Sequence, residues 1–236
     1  MPPYEYDLIC IGSGPAGQRA AIQAAKLGKK VALIEKQRFV GGVCIDTGTI
    51  PSKTFREAVR RVYSRPGLEV TDPFAARARI RPMMKELIGH VGRVIQREIN
   101  MVHDALTRND VTVVHGQASF VDPHTVRVAV GDGHRSLTAE YVLIAVGTRP
   151  GTPKGVTLDG QTVLTSDEVL QLEYLPHSMV VVGAGVIGIE YASMFAALGV
   201  QVTVIDQRAR PLEFLDSEIV DELIHRYSRS LYGGSH

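Results

Sequence analysis

The sequence has only two cysteines, Cys10 and Cys44, and they lie far apart in the chain. A disulfide scaffold or a thiolate zinc site needs more sulfur at closer spacing. Both are therefore excluded, and the count fits a reducing cytoplasm. Net charge is scarce too, at +1, so no bulk field draws the chain to nucleic acid or acidic lipid. No apolar run reaches the length of a membrane span. The start of the chain, MPPYEYDLICIGSG, lacks the charged flank and cleavage site of a secretory signal. The eight histidines show no HxxxH or HExxH spacing, so no metal site is expected. What is left, 44% hydrophobic and 22% charged over 236 residues, is ordinary for a globular protein of one large domain or two small ones. The expectation is a cytoplasmic protein whose partners are small molecules, with no nucleic acid and no membrane.

Residues 4–11 read as a short buried strand. A glycine turn follows, then an alanine-rich helix ending at Gly28. VALIE at 31–35 is the next strand. Helical patterns run from Ser52 to about Arg65 and from Pro82 to Thr107. VTVV at 111–114 reads as a buried strand. Residues 125–130 and 135–146 form a hairpin about Gly131-Asp132-Gly133, and 141–146 end as a buried strand closed by Gly147. TRPGTPKGVTLDG reads as a boundary. It divides a first domain, 1–150, from a second, 151–236.

The second domain repeats the opening of the chain. Gly12, Gly14 and Gly17 align with Gly183, Gly185 and Gly188. Gly28 aligns with Gly199, and Glu35 with Asp206. Such a repeat points to two related domains. The fold class expected is α/β, with two Rossmann-like dinucleotide-binding domains, a small antiparallel hairpin, and an incomplete second domain. The glycines have physical roles. The first permits the tight turn, the second lets a pyrophosphate approach the backbone, and the third lets the helix pack on the strand. The helix N-terminus then offers free N–H groups to phosphate. Glu35 and Asp206 stand where an acid meets a ribose. Arg208 and Arg210 follow Asp206 at once. Arginine is the usual partner of a 2′-phosphate, so the second copy carries a mixed signal for NAD and NADP. Solvated loop charges are an equal reading of both arginines.

The first fingerprint, GGVCIDTGTIPSK at 41–53, AVGTRP at 145–150 and the second GxGxxGxE together resemble the flavoprotein family of pyridine nucleotide-disulfide oxidoreductases. That family includes dihydrolipoamide dehydrogenase, glutathione reductase and mercuric reductase. The likeness runs from about Tyr6 to Asp216. It implies FAD in the first domain, bordered by Gly12, Gly14, Pro15, Ala16, Gly17, Glu35, Lys36, Gly41, Gly42, Val43, Cys44, Lys53, Ala118, Ala145, Gly147 and Thr148. It implies NAD or NADP in the second, bordered by Gly183, Gly185, Val186, Ile187, Gly188, Glu190, Asp206 and Arg208. Most of the family carries a second cysteine five positions beyond Cys44; this chain has Thr49. A dithiol relay needs two sulfurs in bonding reach, and Cys10 lies in the first strand.

Threonine at that place resembles the soluble pyridine nucleotide transhydrogenase branch. The resemblance implies FAD-dependent hydride transfer between NADH and NADP with no redox disulfide. The rivals are a dihydrolipoamide dehydrogenase-like disulfide reductase and a non-catalytic nucleotide-binding fragment. Cys44 is either a lone thiol packed near the flavin or a thiolate with a redox role. The matching family lysine, Lys53 here, lies near the reactive edge of the flavin and pairs with the glutamate that is Glu190 here. Residues 53–98 hold eleven Lys/Arg against five Asp/Glu, without aromatic interleaving, and read as a solvated basic face. The family fold runs well beyond this length and supplies a homodimer interface at its C-terminal end. The resemblance therefore implies a C-terminally truncated chain that is not expected to dimerise, with RYSRSLYGGSH as an altered tail.

Overall fold

In the computed structural model, residues 3–63 and 83–231 are described. The part of the basic segment between them, 64–82, and the last residues of the tail lie outside that range. The chain divides into two compact units, one of Met1–Pro51 with Val91–Lys154 and one of Ser52–His90 with Gly155–His236. The second unit thus gathers residues from both sides of the boundary read at 150.

In the first unit, β1 (Tyr6–Ile11), α1 (Pro15–Lys26) and β2 (Val31–Glu35) form a strand–helix–strand crossover, and the short α2 (Val43–Asp46) follows. Pro15 fits the first turn of α1 because no intrahelical bond is lost there. The helix ends in paired bonds, Gly28 N–H to Ala25 and Lys29 N–H to Ala24, with Gly28 at φ +77°. That is the left-handed cap glycine supplies most readily. Next along the chain are α3 (Thr49–Tyr63), which from Ser52 onward belongs to the second unit, and α4 (Met83–Arg108), which returns to the first unit at Val91; then come β3 (Thr112–His115), β4 (Gln117–Asp122), β5 (Thr125–Val130) and β6 (Gly133–Ile144).

These six strands make one sheet in the order β3-β2-β1-β6-β5-β4. β3, β2, β1 and β6 run parallel, while β6, β5 and β4 are antiparallel. Strand β6 serves both halves. Gly133–Thr138 pairs with β5, and Ala139–Ile144 pairs with β1. The hairpin arm and the final parallel strand of the sequence reading are therefore one strand. Alternation sends successive side chains to opposite faces. Cys10, Val31 and Leu33 pack with Ala21 of α1 and Ile99, Val102 and Leu106 of α4. Ile9, Ala32 and Ile34 pack instead with Val126, Val128 and Leu137 from the antiparallel arm.

Two burial expectations are corrected. The strand at 141–146 is not uniformly buried: Tyr141, Ile144 and Val146 are exposed, while Val142 and Leu143 reach the two cores. The strand β3 begins at Thr112 and is half exposed because it lies at the sheet edge. The sequence reading also passed over β4.

In the second unit, β7 (Ser178–Val182), α5 (Val186–Ala197) and β8 (Gln201–Ile205) repeat the crossover, with β7 and β8 parallel. The helix cap repeats as well, from Gly199 N–H to Ala196 and Val200 N–H to Phe195. α6 (Ser217–Leu231) follows. Fully buried Phe55 of α3 and Phe195 of α5 meet with ring centroids 5.8 Å apart. Among the described residues, no helix is long and apolar enough to cross a membrane.

Candidate functional site

The chain leaves β1 for β2 on one side and returns through β6 on the other. The C-terminal end of β1 is thus the switch point where open α/β sheets receive ligands. Gly12 and Gly17 fit this turn tightly. A Cβ at Gly12 would come 2.3 Å from the Ala145 carbonyl oxygen, and one at Gly17 would come 1.9 Å from that of Gly12. Gly42 presses against the same loop, since its Cβ would lie 2.7 Å from Gly14 Cα. Gly14 itself would meet nothing within 4 Å. Helix α1 starts there without a side-chain cap and without an acid in its first turn. Its leading N–H groups face a glycine surface that suits an anion such as a pyrophosphate. Pro15, Ala16, Lys36 and Val43 are exposed around it, Gly41 is buried, and Cys44 is partly buried.

Glu35 is buried at the end of β2. Its Oε2 accepts from the Ser13 N–H at 3.0 Å and from the Ser13 hydroxyl at 2.5 Å, and its Oε1 accepts from the Gln37 N–H at 2.8 Å. The Ser13 hydroxyl also accepts from the Gly41 N–H at 2.9 Å. A carboxylate offers about four acceptor positions. Glu35 thus keeps room for one further donor, such as a ribose hydroxyl. Ser13 and Gln37 were missed in the sequence reading. The only signal for Ser13 was a hydroxyl residue inside the GSG turn.

Both cysteines are free. Cys10 is fully buried in β1, and burial pushes its thiol up to about 11. Ala118 lies on β4 with its side chain against the core, whereas Gly147 and Thr148 are exposed beyond β6.

The second turn is built alike. A Cβ at Gly188 would come 2.0 Å from the Gly183 carbonyl oxygen, while Gly183 and Gly185 would meet nothing within 4 Å. α5 also begins without a side-chain cap or an acid in its first turn, and Val186 and Ile187 are more than half exposed there. Asp206 Oδ2 accepts from the Ala184 N–H at 2.6 Å and from Arg208 Nη2 at 2.7 Å. Its Oδ1 accepts from the Arg208 N–H at 2.8 Å and from Arg208 Nε at 2.9 Å. Arg210 pairs with Asp221 instead. Neither arginine is a bare loop charge.

Hydrogen bonds from Arg208 and Ala184 hold the Asp206 carboxyl well below the usual carboxylate range. A depressed folded-state value means the stability Asp206 contributes is present above the unfolded-state value, ~3.9. It is lost as pH falls from there through the folded-state value. A carbon-detected NMR titration is expected to put the Asp206 midpoint below that of a free aspartate. In Arg208→Gln the midpoint should move back up toward it.

On α3, Lys53 Nζ donates to Glu190 Oε1 of α5 in an ion pair. The next residue, Tyr191, is buried, and its hydroxyl has no hydrogen-bond partner among the described residues. Burial first, and then the charges of Glu190 and Asp167, push that phenol up to about 12. The sequence reading did not single it out. Among the described residues, no three His, Cys, Asp or Glu gather where they could hold a metal ion.

Two glycine turns, each tied by its backbone to an acid at the end of the following strand, and each opening an uncapped helix, repeat one local arrangement in the two units. A family model for pyridine nucleotide-disulphide oxidoreductases matches residues 6–230. The chain belongs to this family. Among relatives of this oxidoreductase-family chain, the soluble pyridine nucleotide transhydrogenase of Mycobacterium tuberculosis is 49% identical over 225 residues, covering 93% of this chain and 47% of the relative. That of Photobacterium profundum is 43% identical over 224 residues, covering 94% and 47%. Among solved structures, the HOCl-induced flavoprotein disulfide reductase RclA from Escherichia coli superposes with a TM-score of 0.80 at 29% identity, over 96% of this chain and 48% of that one. The chain spans about half the length of the curated relatives it matches.

Proposed function

We propose that this chain is the nucleotide-binding part of an FAD-dependent enzyme that passes hydride between NADH and NADP without a redox disulfide. The observation that carries the reading is the pairing of Cys44 with Thr49 rather than with a second cysteine. The remaining sulfur, Cys10, is sealed in β1 with a thiol that resists ionisation. Thiol-disulfide exchange requires a thiolate, so this segment supplies no relay. The transhydrogenase relatives add support.

FAD, when bound, supplies the centre that takes and gives hydride. The protein's part is to bind, orient and tune. The Gly12–Gly17 turn and the first N–H groups of α1 would hold the pyrophosphate of FAD. The spare acceptor position on Glu35 would take a ribose hydroxyl, with Ser13 fixing the carboxylate and the Gly41 loop together. The Gly183–Gly188 turn would hold NADH or NADPH in the same way. Lys53, kept in place by Glu190, would supply positive charge where negative charge develops during hydride transfer. Cys44 would pack beside the flavin as a lone thiol.

The purified 236-residue chain is expected to take up FAD with a visible flavin spectrum and to transfer hydride from NADPH to thio-NAD. A colourless protein that does not bind added FAD would sink the reading. The disulfide reductase named for RclA is the rival, and NADH-dependent lipoamide reduction faster than transhydrogenation would favour it.

A further inference from the structure

Glu35 and His115 are partners in the β2–β3 ladder. Paired residues of parallel neighbours point to one face, here the face that carries Val31, Leu33 and Val113 toward the helices. The chain then leaves the sheet, and residues 36–39 are all exposed before Val40 is buried again. Gln37 is tied on both sides in that turn. Its N–H donates to Glu35 Oε1 at 2.8 Å, and its carbonyl oxygen accepts from His115 Nδ1 at 3.1 Å. A carbonyl only accepts, so Nδ1 carries the proton in this bond. The Gly41 N–H, donating to the Ser13 hydroxyl, closes the far end of the turn. In the second copy the Arg208 N–H donates to Asp206 in the same way, and the second tie comes from the guanidinium of Arg208 itself. In the first copy the second tie comes from a neighbouring strand, and it leaves the carboxylate untouched.

We propose that His115 is a positioning residue for the adenosine half of bound FAD, its Nδ1 holding the turn 36–39 to β3 so that Glu35 stays aimed at the ribose. The inference rests on the proposed FAD role of the Gly12 turn. Without the His115 bond, Gln37 is held by its N–H alone, and the exposed turn is free to lift. Glu35 Oε1 then loses its fixed donor, and the carboxylate is held only through Oε2 by Ser13. Rotation about that contact carries the spare acceptor position away from the ribose hydroxyl. Binding must then order the turn as well as seat the ligand, which lowers affinity. Because Nδ1 bonds the backbone of Gln37 rather than Glu35, the tie adds order without occupying the acceptor that the ribose needs. His115 is itself exposed, so its bond bears on the readiness of the site more than on the stability of the fold.

The test uses the 236-residue chain as wild type, His115→Phe, His115→Gln and His115→Asn, with circular dichroism confirming that each is folded. Phenylalanine keeps a ring and loses the donor. Glutamine carries its amide one bond too far, at the place of Nε2. Asparagine sets an amide N–H where Nδ1 stands, so it is the conservative replacement. FAD dissociation constants are read from flavin fluorescence, and ADP, which lacks the flavin half, is measured by its displacement of FAD. His115→Phe and His115→Gln are each expected to weaken FAD and ADP alike by about fivefold, the loss of one hydrogen bond, while His115→Asn binds both as wild type does. In the FAD-free chain, NMR-detected hydrogen exchange at the Gln37 N–H should quicken in the Phe and Gln variants and stay slow in the Asn variant, with melting temperature unchanged in all three. If His115→Phe does not fold, His115→Gln carries the same comparison. Three results overturn the inference alone: wild-type FAD affinity in the Phe and Gln variants, failure of asparagine to restore binding, or weaker FAD binding with Gln37 exchange unchanged. Wild-type protein that takes up no FAD overturns the proposed function along with it.

Discussion

Gly17→Ala is expected to destabilise the first unit and strip it of FAD, whereas the same change at Gly92 is expected to stabilise it. Both glycines lie inside helices, α1 and α4, so intrinsic propensity favours alanine at each by about 1 kcal/mol. At Gly92 nothing lies within 4 Å of the new methyl, and the propensity gain stands alone. At Gly17 the methyl would lie 1.9 Å from the Gly12 carbonyl oxygen. Backbone cannot swing aside as a side chain can, so α1 must move off the sheet. Overpacking of this kind costs about 3 kcal/mol or more, which outweighs the helix gain. Shifting α1 also moves the N–H groups proposed for the pyrophosphate. Gly188→Ala repeats the clash in the second unit, at 2.0 Å from the Gly183 oxygen. It should leave flavin content intact while abolishing nucleotide binding. Thermal denaturation, flavin absorbance and calorimetry check the three variants, and a Gly17→Ala protein as stable and as yellow as wild type would contradict the packing argument.

Lys53→Ala is expected to slow reduction of bound flavin by NADH or NADPH by about 100-fold, the loss typical when one preorganised charge or donor is removed from a reacting centre. Stability should hardly change. The Lys53 side chain is 50% exposed, and ion pairs of that kind contribute about 0–1 kcal/mol. The docking of α3 on α5 rests instead on the buried Phe55–Phe195 contact. A rate loss without a shift in melting temperature therefore separates an electrostatic role from a structural one. Glu190→Gln should give a smaller loss, since Lys53 keeps its charge and loses its anchor. Stopped-flow bleaching of the flavin band under anaerobic conditions measures both rates. Wild-type reduction kinetics in Lys53→Ala would remove Lys53 from the proposed machinery.

The parts of the fold that the sequence disclosed are those with a local cause. The β1–α1–β2 crossover shows itself through an apolar run, a glycine turn and an alanine-rich helix, all close to Tyr6 in the chain. Its repeat at Ser178–Ile205 shows itself by self-similarity. Strand β6 was legible only in pieces, because one strand changes partner from β5 to β1 midway and no residue marks the change. Its exposed Tyr141 and Ile144 look apolar in sequence because composition says nothing of which face is covered. Lys53 and Glu190 are separated by 137 positions, and only family resemblance brought them together in advance. The partners of the two acids were beyond sequence patterning. Whether Arg208 turns onto Asp206 or into solvent depends on backbone direction after β8, and the same holds for Ser13 and Gln37 around Glu35.

Each acid also accepts from the backbone of its own glycine turn, Glu35 from Ser13 and Asp206 from Ala184. This has a bearing on redesign of cofactor preference. The usual engineering target, the acid at the end of the second strand, doubles here as a fastener of the loop it follows in space. Replacing it with a small or basic residue would change recognition and loosen the loop in one stroke, and the two effects would be read as one. The position two residues further on, Gln37 in one fold and Arg208 in the other, reaches the same carboxylate from outside the turn. Exchanging those two residues would alter the charge beside each carboxylate while the fastener stays closed, and that is where a designer would begin.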